Sequence, residues 1–104
     1  MNAEKKNEGY YEDAHGNKIY GKRDNLSFVF TGYDSEVRIG ENLKVSGNFE
    51  ICMGAGSIVK IGDNVKLNCS EITVQDNSIL SIGDGSEILY YIQKPIWKRG
   101  IISK

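Results

Sequence analysis

Three carboxylates stand at a near-fixed interval in this chain. Glu41, Asp63 and Asp84 are separated by 22 and then 21 residues. Acids stacked by a repeating fold could line one corner and bridge a divalent cation, which takes oxygen ligands. The stronger expectation is plainer: Asp and Asn at a chain bend hydrogen-bond their own turns. A like-charge ladder at a surface is tolerated because salt and water screen it. His15, the sole histidine, is the one imidazole available as a general base. It lies in Ala14-His15-Gly16-Asn17, a run of turn formers, and reads as an exposed turn residue. Cys52 and Cys69 occupy non-equivalent positions and read as reduced, half-buried thiols. Without a histidine cluster beside them, the two cysteines do not define a zinc site. Gly54-Ala55-Gly56-Ser57 lacks the Gly-Lys-Ser/Thr ending of a phosphate loop, and no helix follows it. No nucleophile–base pair is supported by spacing, so no residue is assigned a catalytic, cofactor-binding or metal-ligating role.

The acids belong to a longer phrase, which sets the elements that position them. Ile39-Gly40-Glu41, Ile61-Gly62-Asp63 and Ile82-Gly83-Asp84 repeat at the same 22- and 21-residue intervals. A period in this range marks a stacked repeat architecture. Other columns fall into register with it. Leu43 matches Val65; Val45 matches Leu67 and Ile88; Asn42 matches Asn64 and Gly85. Val37, Val59 and Leu80 each precede a key isoleucine by two positions. Within a repeat, Ile39, Val45 and Ile51 are six apart, as are Ile61 and Leu67, with Ile72 five further on. Extra residues fall in Gly54-Ala55-Gly56-Ser57 and Gln75-Asp76-Asn77-Ser78, both turn-rich.

The spacing suits a coil with three flat faces, one short strand per face, with aliphatic side chains aimed at a common axis. Glycine, Asp and Asn then serve the corners, where left-handed backbone is needed. The 12 glycines against one proline fit that use. β-Branched residues at period two with frequent breakers disfavour a helical reading. A meander sandwich remains the second choice, because it does not predict matched columns. The expected fold is therefore all-β: a single-stranded parallel β-helix of about three to four coils.

Bulk properties set the remaining bounds. The chain has 104 residues, room for one domain. Its net charge of −1 makes no general call for nucleic acid. No apolar run is long enough to span a bilayer, and Met1 to Glu8 carries no signal-like apolar stretch; cytoplasm is the default expectation. Residues 1–25 read as a lead-in and N-terminal cap, 26–88 as the coils, and 89–104 as a divergent tail. Tyr10–Asp13 and Lys18–Tyr20 read as a short hairpin or a looped lead-in strand. Phe28 and Phe30 begin the first full coil and plug its open end. The tail is basic and aromatic, and is expected to cap the last coil; the competing use is a partner- or lipid-binding segment.

The phrases Val37-Arg38-Ile39-Gly40-Glu41-Asn42, Val59-Lys60-Ile61-Gly62-Asp63-Asn64 and Leu80-Ser81-Ile82-Gly83-Asp84-Gly85 resemble those of hexapeptide-repeat acyltransferases. More narrowly, they resemble the N-terminal coils of bacterial O-acetyltransferases of capsular or surface sugars. His15-Gly16-Asn17-Lys18-Ile19 through Asn25 looks like the lead-in of such enzymes, so the likeness spans about residues 14–88. The resemblance implies a left-handed β-helix, a trimer, and acetyl-CoA held between subunits. It also implies a histidine in a later coil acting as general base on a sugar hydroxyl. This chain departs from that pattern after Ile88, where neither a catalytic histidine nor a matching CoA segment appears, and His15 does not match the catalytic position. The expectation is a truncated or divergent member, inactive alone, with no cofactor of its own. Its expected partners are copies of itself or further coils, not nucleic acid or a membrane. The alternative is a non-enzymatic β-helix module for oligomerisation or scaffolding.

Overall fold

The structure is a computed structural model that describes residues 9–68, 70–88, 95–96 and 99–102. The chain enters through an antiparallel hairpin of β1 (Tyr10–Glu12) and β2 (Lys18–Tyr20). It then winds through β3 (Leu26–Phe30), β4 (Glu36–Ile39), β5 (Lys44–Val45), β6 (Phe49–Met53), β7 (Ile58–Ile61), β8 (Lys66–Leu67), β9 (Ser70–Val74), β10 (Ile79–Ile82) and β11 (Glu87–Ile88). Two more strands follow, β12 (Pro95–Ile96) and β13 (Arg99–Ile102). The first face stacks β1-β2-β4-β7-β10-β13, the second β5-β8-β11, and the third β3-β6-β9-β12. Every ladder except β1–β2 is parallel. The protein is an all-β parallel β-helix of about three turns, as the repeat predicts. Among the described residues no helix is long and apolar enough to cross a membrane.

The register is the one the columns predict. Ile39 pairs with Ile61 and Ile61 with Ile82; Val37 pairs with Val59 and Val59 with Leu80. Val45, Leu67 and Ile88 form the matching column on the second face. On the third face Ile51 pairs with Ile72 and Met53 with Val74. Val37, Val59, Leu80, Ile51, Ile72 and Met53 are all sealed from solvent. One such side chain contributes about 1.5–3 kcal/mol on burial, and only a neighbouring rung can bury it, because a single coil has no interior of its own.

At the lower end strand β2 pairs in parallel with β4, placing Ile19 under Val37. The second face has no strand at this level; residues 21–25 cut the corner instead, and the Asp24 carboxylate accepts the downward Val45 N–H at 2.8 Å. Phe28 and Phe30 lie one rung below Ile51 and Met53, half-buried against the core with their rings 6.3 Å apart. They pack against the core from the edge strand of the third face. At the upper end β12 pairs in parallel with β9, and β13 with β10. The stretch that the sequence marks as divergent thus adds rungs to two of the three faces; the lipid-binding use of its other residues lies outside the described residues.

Candidate functional site

The corner carboxylates do something other than serve their own turns. Asp63 Oδ1 accepts the Glu41 N–H at 2.8 Å, and Asp84 Oδ1 accepts the Asp63 N–H at 2.7 Å. Each carboxylate therefore reaches back one rung and satisfies a corner amide of the coil beneath. Asp76 does the same for the Ala55 N–H at the corner between the third and first faces, at 2.8 Å. Among the described residues the column acids do not form a metal-ligand group.

This geometry explains the glycine of the repeated phrase. Gly40 and Gly62 do not have positive φ. A Cβ on Gly62 would collide with Asp84 Oδ1 and lie 2.7 Å from the Asp84 backbone nitrogen. A Cβ on Gly40 would collide with Asp63 Oδ1 and lie 2.7 Å from the Gly62 carbonyl oxygen. The glycine is there so that the next rung's Asp can fold over it. The left-handed backbone that the corner needs is carried three positions after the isoleucine, by Asn42 (φ 60°), Asn64 (φ 59°) and Gly85 (φ 73°). Asn tolerates that region better than other non-glycine residues, and the Asn42 side-chain amide donates to Asn64 Oδ1 at 3.0 Å.

A second polar column runs inside the corner that precedes each first-face strand: Asn17, Ser35, Ser57 and Ser78, all buried. The Asn17 amide donates to Asp13 Oδ2 and to the Gly32 carbonyl, while its Oδ1 accepts the Ser35 N–H. The Ser35 and Ser57 hydroxyls both donate to the Gly54 carbonyl at 2.7 Å. Gly54-Ala55-Gly56-Ser57 is thus a structural corner. The Ser86 hydroxyl, by contrast, is buried without a partner among the described residues.

His15 sits in the exposed turn between β1 and β2, as expected. Its backbone N–H donates to Asp13 Oδ1 at 2.9 Å and its carbonyl accepts the Asp34 N–H. Burial pushes the Asp13 carboxyl up, but the Asn17 amide, the Asn17 and His15 N–H groups and the His15 charge outweigh it and hold the carboxyl below its usual range.

Two features were not singled out from sequence. The first is a groove of about 1300 Å³ where the second face lacks its lowest strand, lined by Lys22, Arg23, Asp24, Asn25, Glu41 and Asn48 among others. It carries both charge signs and no nucleophile–base pair. The second is on the outward side of the third face. Glu50 and Glu71 are register partners on β6 and β9, and Cys52 lies two residues beyond Glu50 on the same side. Their carboxylate and thiol atoms all lie within 4.8 Å of one another. Cys52 is a free thiol, half-exposed, and its pKa is raised by partial burial and then by the charges of Glu50 and Glu71. Alternation along Phe49-Glu50-Ile51-Cys52-Met53 was the available signal, since it puts Glu50 and Cys52 on one side. Cys69 lies outside the described residues.

Comparison with protein-family profiles, curated proteins and solved structures finds no match to this chain.

Proposed function

We propose that this chain is a coil stack of the hexapeptide-repeat acyltransferase type, akin to O-acetyltransferases of surface sugars, which serves assembly and does not turn over substrate alone. The observation that carries this is the in-register piling of the three Ile-Gly-acid phrases, with their isoleucines in one interior line. In this reading the chain is cytoplasmic and self-associates as a trimer through its flat faces. Acetyl-CoA and the general base are contributed by other coils, because the lone His15 is a turn residue remote in role from any hydroxyl nucleophile. Transfer of an acetyl group to a sugar needs a base to make the hydroxyl a competent nucleophile near neutral pH.

A second reading, a non-enzymatic β-helix scaffold, is favoured by a specific observation. Asp63, Asp84, Asp76, Ser35 and Ser57 all spend their polar atoms on holding one rung to the next or closing a corner. Analytical ultracentrifugation with an acetyl-transfer assay separates the two. A discrete trimer without turnover supports the first reading. A monomer, or an open-ended polymer joined through exposed strand edges, supports the second. Measurable acetyl-CoA hydrolysis or sugar acetylation by the isolated chain overturns the account of the missing base in both.

A further inference from the structure

We propose that Glu50, Cys52 and Glu71 form a binding site for a borderline-soft divalent cation of the zinc type, with at least one coordination position left to water or an outside ligand. The site does not depend on the acyltransferase reading. It rests on three residues of different chemistry brought together by two adjacent rungs.

Donor placement is the first support. Strands β6 and β9 are hydrogen-bonded neighbours, so Glu50 and Glu71 project side by side at the inter-strand spacing of about 4.8 Å. Cys52 follows on the same outward side, and the three donor atoms lie within 4.8 Å of one another. Tetrahedral zinc with sulfur and oxygen ligands asks for donor separations of about 3.5 Å. The thiol stands on a rigid strand interior, while the two Glu side chains have the torsional freedom to close the difference.

The charge arrangement is the second support. Like charges directly opposite in a ladder are destabilising. Two other strand acids have a cation beside them, Glu36 with Arg38 and Glu87 with Lys66 at 3.7 Å, and the corner acids Asp63, Asp76 and Asp84 each accept a backbone N–H. Neither Glu50 nor Glu71 has a side-chain hydrogen bond or ion pair among the described residues. A divalent cation would turn this opposed pair from a repulsive contact into a shared ligand set.

The thiol decides which cation. Calcium and magnesium prefer all-oxygen shells, whereas zinc takes thiolate and carboxylate together. On binding, the Cys52 S–H bond breaks, its proton passes to solvent and an S–metal bond forms in its place; no electrons change hands.

The test uses the full chain with cobalt(II) as a spectroscopic stand-in and zinc as competitor. The wild type and Cys69→Ser are expected to show the near-ultraviolet thiolate-to-cobalt band, which zinc abolishes; Cys52→Ser should show none. Glu50→Gln with Glu71→Gln should weaken cobalt binding by roughly tenfold or more, since loss of even outer partners costs that much. Far-ultraviolet circular dichroism unchanged across the set shows that the fold is retained. As a check free of substitutions, zinc should slow alkylation of Cys52 in the wild type but not that of Cys69, resolved by peptide mass. The proposal is overturned by a wild type without a thiolate–cobalt band. It is equally overturned by a band that follows Cys69 instead of Cys52, by unchanged affinity in the double Glu variant, or by Cys52 alkylation indifferent to zinc.

Discussion

Gly62→Ala is the substitution on which ordinary expectation and this structure disagree in sign. At a position with unexceptional φ, replacing glycine by alanine stabilises by about 0.4–1 kcal/mol, because the unfolded chain loses freedom. Here the added methyl meets the next rung. The Asp84 carboxylate can swing aside, at the loss of its 2.7 Å bond to the Asp63 N–H, a contribution of about 1 kcal/mol. The Asp84 backbone cannot. Its nitrogen would lie 2.7 Å and its Cα 3.0 Å from the new methyl. It is pinned on both sides, by Gly62 N–H to Ile82 O and Gly85 N–H to Asp63 O, each 2.8 Å. Overpacking of this kind costs about 1–3 kcal/mol. The net destabilisation is then about 1–3.6 kcal/mol after the entropic gain is subtracted. For a chain of this size each kcal/mol lowers Tm by about 4–8 °C, so a fall of roughly 4–29 °C is expected. The assay is a set of circular dichroism melts on wild type, Gly62→Ala, Asp84→Ala and the double variant. Asp84→Ala alone should cost about 1 kcal/mol. The double variant should lose about 1 kcal/mol less than the sum of the singles, because the carboxylate bond is lost only once. A Gly62→Ala protein that melts at or above the wild-type temperature would refute the rung-over-glycine account.

Further outcomes follow from other columns. Ile61→Asp puts a charge in the middle of the isoleucine line, where the side chain is 4% exposed; urea titration should find no cooperative folded state, and an unchanged melt would count against the stack. Asn64→Ala should cost about 1–2 kcal/mol by forcing a left-handed alanine, while Asn64→Gly should recover most of that in the same titration. Because the Asp13 carboxyl is held below its ordinary value of about 3.8 when folded, its contribution is present above that pH and lost as pH falls through the lower, folded value. Asp13→Asn should therefore narrow the gap between urea midpoints measured at pH 7 and pH 3; an unaltered gap contradicts the sign.

The interior of this fold was legible because a β-solenoid writes its register into the sequence. Val37, Val59 and Leu80 could be aligned from the phrase beside them, and the backbone pairs them as aligned. The placement of the turns was legible too, since Gly54–Ser57 and Gln75–Ser78 interrupt the six-residue spacing. What sequence could not give was direction. Asp63 bonding its own turn and Asp63 bonding the rung beneath leave the same letters, and the distinction appears only once the coils are stacked. The same holds for glycine. Turn chemistry alone points to positive φ at the corner glycines generally, but in the repeated phrase that conformation belongs to the column of Asn42, Asn64 and Gly85, and Gly40 and Gly62 answer to steric contact with the next coil. The Glu50, Cys52 and Glu71 cluster was hidden for a related reason: Glu71 comes from the following rung, so the three residues are not close in sequence.

Methyl-labelled isoleucine NMR gives the most direct measurement of the stacked column. Rungs about 4.8 Å apart place the side chains of Ile39, Ile61 and Ile82 in succession, so NOE cross-peaks should join Ile61 to both of the others. Ile39 and Ile82, two rungs apart, should share at most a weak one. Isoleucine methyls of the repeated phrase that show NOEs to unrelated residues and none to one another would contradict the stack.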